Sequence, residues 1–271
     1  VSYHKSPAPE AVYERLPKLV AFLRCAIDIR NVDIPAASRA GVLVTQASAG
    51  FVTSVAEQVF GFMIDLGRRI TASTLSYRSN VVPKGALGLE LKGSTVGVIG
   101  YGQIGREVVR IAEAFRMKVL VHDPYAKDIA QVPLDELLAQ SDFVVPLAVA
   151  TAETENLIGE KALKTMKRGA FLVNVSRGNL VDEKALEAAL DSGHLGGCAL
   201  DVGRDPDQMP TPRLAARPDV LATPHSAGLT LPSIEHQSME TVAQAAEIAR
   251  RRAPKGAVNA QHWTRKGLLQ T

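Results

Sequence analysis

Val96–Asp123 reads VGVIGYGQIGREVVRIAEAFRMKVLVHD, and the fold turns on whether its spaced glycines hold a nucleotide or only turn a corner. A G-x-G-x-x-G run is common, so the context decides. Val96–Ile99 is a short apolar run suited to a buried strand. Gly100, Gly102 and Gly105 follow it. Ile104, Val108, Ile111, Ala112 and Phe115 then recur at i, i+4, i+7, i+8 and i+11, the spacing of one helix face. KVLVHD supplies a second strand, and its last residue, Asp123, lies roughly 20 residues past the glycines, where a dinucleotide-binding unit carries an acid.

Each part has a physical task. Gly100 permits the tight turn, Gly102 lets a pyrophosphate approach the backbone, and Gly105 lets the helix pack closely on the strand. The helix N-terminus offers unpaired N–H groups and the positive end of its dipole to phosphate. Asp123 is placed to accept both adenosine ribose hydroxyls and to repel a 2′-phosphate, so the expected cofactor is NAD rather than NADP.

Outward from this stretch, short apolar runs alternate with helical periods: VGVIG, KVLVHD, DFVVPL, AFLVNVS, GCALDV and DVLATPH. Six strands, apolar on both sides and separated by amphipathic helices, describe a parallel sheet covered on both faces, a doubly wound α/β domain of Rossmann type. Before it, NVDIPAASRAGVLVTQAS reads as loop, short helix and strand, and Val55, Val59, Phe62 and Leu66 mark a long helix. After it, Met239, Val242, Ala246 and Ala249 mark another. The economical arrangement is a smaller substrate domain from residues 1–73 and 232–271, with the nucleotide domain, 74–231, inserted into it. Such insertion predicts a cleft in which a small ligand binds.

With 271 residues, 46% of them hydrophobic and 22% charged, the chain can build two modest cores as an ordinary soluble protein. Cys25 and Cys198 lie far apart and are expected to be reduced, which suits a cytoplasmic setting. No apolar run is long enough to span a membrane and no basic-then-apolar leader opens the sequence. The net charge of +3 is dispersed, and the cationic cluster at Arg250–Lys255 reads as a helix C-terminus rather than a nucleic-acid patch. No ligand-type spacing of His, Cys and Asp suggests a metal. The chain begins with Val, and an N-terminal piece is expected to be missing.

Ligands of an open parallel sheet lie beyond the carboxyl ends of its strands. There the fourth strand is followed by Arg177, the fifth contains Asp201 and runs into Arg204-Asp205-Pro206-Asp207, and the sixth ends in Thr223-Pro224-His225. Hydride transfer to a 2-keto acid needs these group types. An arginine forks onto the carboxylate and polarises the carbonyl. A histidine gives the proton that completes the alcohol. A carboxylate against the imidazole fixes its tautomer. Arg177, His225 and one of Asp205 or Asp207 fill the roles. Asp201, inside an apolar strand, needs a partner and is expected near the nicotinamide, with a purely structural hydrogen bond as the alternative. His4, His122, His194, His236 and His262 read as surface or incidental.

GYGQIG with HDPY, NVSRGNLVDEKAL, GGCALDV and ATPHSAG, in that order, resemble the NAD-dependent D-isomer-specific 2-hydroxyacid dehydrogenases. The likeness runs from about Asn31 to Asn259, and NVDIPAASRAGVLVT and SVAE, with Glu57, resemble the family's substrate domain and first hinge helix. The resemblance implies a flavodoxin-like substrate domain, here N-terminally incomplete. It also implies an Arg/acid/His catalytic set carried by Arg177, His225 and Asp207 or Asp205. Cofactor contacts are implied at Gly100, Gly102, Gln103, Ile104, Gly105, Asp123, Pro124, Val175, Ser176, Asp201 and Gly228. It implies a homodimer joined through the nucleotide-binding domains.

Three departures from the family pattern stand out. Pro206 occupies the position of the family's catalytic glutamate; Asp205 and Asp207 flank it, and Asp207 is preferred. RCAIDIRNVD has Ala26 and Asp28 where a glycine-rich loop is common, and Asp28 opposes an anionic substrate unless Arg24 or Arg30 offsets it. Gly100 comes early in the chain, by an amount that matches loss of the substrate domain's first strand and helix. The absence of a second obvious anion clamp favours a small or aryl 2-keto acid over phosphoglycerate. An NAD(H)-sensing binding module and an inactive fragment are the competing readings.

Overall fold

The computed structural model describes residues 1–2 and 6–269, so His4 lies outside the described residues. In chain order the main elements are α1 (Glu10–Arg15), β1 (Ala21–Arg24), α2 (Ile34–Arg39), β2 (Leu43–Gln46), α3 (Val52–Arg68), α4 (Ile70–Arg78), β3 (Thr95–Ile99), α5 (Gln103–Ala114), β4 (Lys118–His122), α6 (Leu134–Gln140), β5 (Phe143–Pro146), α7 (Glu160–Thr165), β6 (Phe171–Asn174), α8 (Glu183–Asp191), β7 (Gly197–Leu200), α9 (Pro212–Ala215), β8 (Val220–Ala222) and α10 (Leu231–Ala249). They fall into two compact units, Val52–Gly228 and Val1–Phe51 with Leu229–Thr271.

The larger unit holds a six-stranded sheet in the order β4-β3-β5-β6-β7-β8, every pairing parallel. The six apolar runs form its six strands. Successive strand residues face opposite sides. Val144, Leu172, Cys198 and Leu200 join Leu137, Leu163, Leu186 and Leu190 in one buried cluster with α6, α7 and α8. On the other side Phe143 and Gly197 meet α3 at Gly67 and Leu66. Helices α3 and α5 pack together, with Phe60 and Phe115 stacked at 5.3 Å between ring centroids. A sheet so covered needs strands that are apolar on both faces, which is why these runs do not alternate. Buried beneath the helices α6, α7 and α8, the Cys198 thiol is pushed well above its ordinary pKa, chiefly by desolvation.

The smaller unit is built on β1 and β2, which pair in parallel. Tyr13, Val32, Ala37, Val42 and Val44 form one core cluster there, and Leu23, Leu43, Ile248 and Trp263 another. Helix α10 forms where expected but presents a different face. Met239 and Val242 are exposed, whereas Ser233, Thr241, Gln244 and Ile248 are buried. The reason is polar: Gln244 donates to the carbonyls of Gln46 and Lys255 and accepts from the Thr45 hydroxyl. The units also divide at Val52 and Gly228 rather than at the expected 73/74 and 231/232. Helix α3 packs on α5, β6 and β7, and so groups with the sheet.

Candidate active site

The nucleotide end is built by the turn from β3 into α5. Gly100 has φ +101, a left-handed conformation, and a Cβ there would lie 2.7 Å from the Ala148 nitrogen. A Cβ on Gly105 would overlap the Gly100 carbonyl oxygen, so the third glycine sets how closely the helix seats. Gly102 differs from both, because a Cβ there meets nothing within 4 Å. It is the N-cap of α5 and supplies no side-chain hydrogen bond. An open glycine before an uncapped helix start is a cradle for a phosphate group, and Gln103, Ile104 and Gly105 form the first turn that faces it.

Asp123 closes the other side of the turn. Its carboxylate accepts from the backbone N–H of Tyr101 at 2.7 Å and of Tyr125 at 2.9 Å. Partial burial pushes this carboxyl up, but backbone hydrogen bonds from Tyr101, Tyr125 and Ala126, with the nearby His122, outweigh it and leave it below its ordinary value. The group is therefore held ionised in a fixed orientation. Pro124 follows in an exposed turn, and Arg106 stacks over the Tyr101 ring at 4.4 Å while pairing with Asp128. These residues fit a dinucleotide.

The residues expected to carry the chemistry stand at the ends of β6, β7 and β8. Asn174, buried at the end of β6, donates to the Arg177 carbonyl at 2.9 Å and accepts from the Ser176 N–H at 3.1 Å, which fixes the turn that carries Arg177. Val175 is buried beneath it and the Ser176 hydroxyl reaches the Ala148 carbonyl. A Cβ on Gly178 would overlap the Gly203 carbonyl, so the Arg177 loop and the loop after β7 touch backbone to backbone. Arg204 secures this contact from outside. It pairs with Glu155 at 2.7 Å and donates to Asn156 and to the carbonyls of Asn179 and Val181.

Asp201 is buried and acts as a clamp. Its carboxylate accepts from the Thr223 hydroxyl at 2.5 Å and from the N–H groups of Ser226 and Ala227 at 2.9 and 3.0 Å, while its carbonyl accepts from the His225 N–H at 2.9 Å. Asp201 thus shapes the turn that carries His225, and Gly228 ends that turn.

The contact on the imidazole differs from the expected carboxylate. His225 Nδ1 donates to the main-chain carbonyl of Asp207 at 2.8 Å. The Asp205 carboxylate makes no hydrogen bond to the ring; the Asp205 N–H donates to the Met209 carbonyl at 3.1 Å. The reason is the backbone of the 3-10 turn Pro206–Gln208, where Asp207 and Gln208 have φ +60 and +61 and present a carbonyl to the ring. His225 itself has φ +50. Left-handed non-glycine residues cost about 1–3 kcal/mol each and persist where the surroundings over-determine them. A carbonyl only accepts, so Nδ1 carries the proton in this contact.

Asn174, Arg204 and Gln208 hold these loops without being expected site residues. Asn174 had a local signal, an amide at the end of an apolar strand, whereas the other two sit in polar loops without one. Among the other histidines, His122 and His194 bond the carbonyls of Val132 and Met166. A cavity of about 620 Å³ beside α7 and α8, bordered by Lys164, Arg168, Lys184 and His194, includes none of Arg177, Asp201, Asp205, Asp207 and His225. In the smaller unit Arg30 forks onto Asp28 and neutralises it, while buried Arg24 donates to the Ser6 carbonyl and to Asn31. Arg30 thus offsets Asp28 directly, and the charge of Arg24 acts on the same carboxylate.

Residues 60–227 match the profile of the D-isomer specific 2-hydroxyacid dehydrogenase, NAD binding domain. The D-3-phosphoglycerate dehydrogenase of Methanocaldococcus jannaschii is 36% identical over 228 residues, which cover 81% of this chain and 43% of that protein. This chain therefore spans less than half the length of that relative. A glyoxylate reductase of Korarchaeum cryptofilum is 33% identical over 256 residues, covering 90% of this chain and 76% of that one. Among solved structures, the apo form of a D-lactate dehydrogenase from Escherichia coli superposes with a TM-score of 0.85 at 30% identity, over 94% of this chain and 84% of that one.

Proposed function

The chain belongs to the D-isomer-specific 2-hydroxyacid dehydrogenases, and from that premise we propose that it interconverts a 2-keto acid and its D-2-hydroxy acid with NAD(H). The observation that carries the reading is the shared turn Pro206–Gln208, bonded to His225 on one side and to the Arg177 loop, at Gly178, on the other.

When bound, the nicotinamide supplies or accepts the hydride. The residues of the chain do the rest. Arg177 forks onto the substrate carboxylate and polarises the carbonyl. His225, held with its proton on Nδ1, gives or takes a proton at Nε2, the position facing the substrate oxygen. Asp123, ionised and pre-oriented, supports NAD over NADP, since a 2′-phosphate there meets a like charge. Asp207 serves through its carbonyl, and Asp201 through the turn it clamps.

The substrate class that fits is a small or aryl 2-keto acid, because Arg30 is consumed by Asp28 and leaves no further anion clamp in that loop. A homodimer through the nucleotide-binding unit is supported by Leu75, Tyr77, Val81, Val82 and Leu87, an exposed apolar run in and after α4. The free thiols Cys25 and Cys198 suit a reducing, cytoplasmic compartment. No described helix is long and apolar enough to cross a membrane.

The test is steady-state NADH oxidation with a panel of small, branched and aryl 2-keto acids, using His225→Asn as control. Turnover that depends on His225 and exceeds that with NADPH is the expected result. No turnover on any member of the panel overturns the reading. Light scattering that reads about twice the chain mass of 28.9 kDa checks the dimer.

A further inference from the structure

We infer that Gln208 is a positioning residue that locks the Arg177 loop and the His225 ring into one unit, an inference that rests on the dehydrogenase reading. Its side-chain Oε1 accepts from the Gly178 N–H at 3.3 Å, on the residue after Arg177. Its own carbonyl accepts from the Gly203 N–H at 2.8 Å, which ties the turn back to the strand end that carries Asp201. The residue before it, Asp207, presents the carbonyl that holds His225 Nδ1. One dipeptide thus joins three strand ends.

The backbone explains why the dipeptide can do this. Two consecutive left-handed residues, Asp207 and Gln208, reverse the chain within a single turn, so that a main-chain oxygen serves one loop and a side-chain oxygen the other. Gly178 has no room for a Cβ against Gly203, so the Arg177 loop has one seat on this turn rather than a range of them. If the Gln208 side chain loses its acceptor, the Gly178 N–H loses its partner and the turn is freed on that side. The Asp207 carbonyl then drifts from Nδ1. A neutral imidazole without that acceptor returns toward protonation on Nε2, the wrong tautomer for accepting a proton from an alcohol.

The test uses the full chain labelled at its histidine ring nitrogens, with His225 assigned by comparison with His225→Asn. In Gln208→Met, which keeps length but removes the acceptor, the Nδ1-protonated form of His225 is expected to fall from dominant to minor. kcat for hydroxy-acid oxidation falls by about 10- to 100-fold, while KM for NAD changes little. Gln208→Glu restores an acceptor oxygen at the same reach and is expected to recover the Nδ1-protonated form and most of the lost kcat. Gln208→Gly, which adopts a positive φ without strain, is the second variant should Gln208→Met not fold, and is expected to lose the tautomer likewise. An unchanged tautomer in the folded Met or Gly variant overturns the inference. Absence of turnover in the unmodified chain overturns the dehydrogenase reading instead, and the ring-nitrogen spectra still decide whether Gln208 sets the tautomer.

Discussion

The Nδ1 of His225 lies 2.8 Å from the main-chain oxygen of Asp207, so the imidazole is oriented by a peptide group that has no charge to lose. In Asp207→Asn the carbonyl is retained and asparagine tolerates the left-handed backbone. The Nδ1-protonated form of His225 is therefore expected to persist, and kcat to fall less than in His225→Asn, which removes a proton donor worth about 10²–10⁴ in rate. A collapse of kcat in Asp207→Asn equal to that in His225→Asn would show that the carboxylate is the orienting group.

Asp201→Asn tests the clamp. The substituted amide turns one acceptor oxygen of Asp201 into a donor, while the Ser226 and Ala227 N–H groups can only donate. At least one buried N–H is left without an acceptor, at a cost of about 1–3 kcal/mol. Chemical unfolding should register that loss, and amide exchange at Ser226 and Ala227 should accelerate.

Two of the three glycines of the nucleotide turn, Gly105 and Gly102, separate by measurement. Gly105→Ala forces a methyl into the Gly100 carbonyl and is expected to destabilise the chain by about 1–3 kcal/mol. Gly102→Ala meets open space, so its stability stays within about 0.5 kcal/mol of the parent. Only the latter is expected to keep a normal melting temperature in buffer while losing the rise that NAD produces.

Glu247 is one contributor to acid unfolding. Hydrogen bonds from Arg252 and then Arg250 take Glu247 from 4.5 down to about 2. Because the folded value is depressed, the stabilisation is complete above the unfolded value and disappears as pH falls through the folded one. The difference in melting temperature between the parent and Glu247→Gln should hold at neutral pH, shrink between pH 4.5 and about 2, and vanish below. A difference that is constant over this range would remove Glu247 as a contributor.

What the sequence disclosed followed from how each element is buried. The strands at Val96, Phe143, Leu172 and Cys198 were legible because a sheet covered on both faces leaves unbroken apolar runs, and α5 because one face repeats. Helix α10 was legible as a helix but not in orientation, since Gln244 and Thr241 turn inward to meet carbonyls that no periodicity records. At the site, Arg177 and His225 could be placed because strand ends converge in this topology. The carbonyl of Asp207 could not. Its direction depends on two left-handed residues without a glycine to announce them. Gln208 and Arg204 were hidden for a related reason, because their partners belong to loops distant in sequence.

Cys198 has a practical consequence. Enclosed beneath the helices that cover its face of the sheet and kept in its thiol form, it is shielded from alkylating agents while the larger unit is folded, whereas Cys25 is partly accessible. The count of maleimide adducts by intact mass thus becomes a clock. One adduct reports the native molecule, and the slow arrival of a second gives the rate at which the parallel sheet comes apart in plain buffer, without any denaturant or introduced probe.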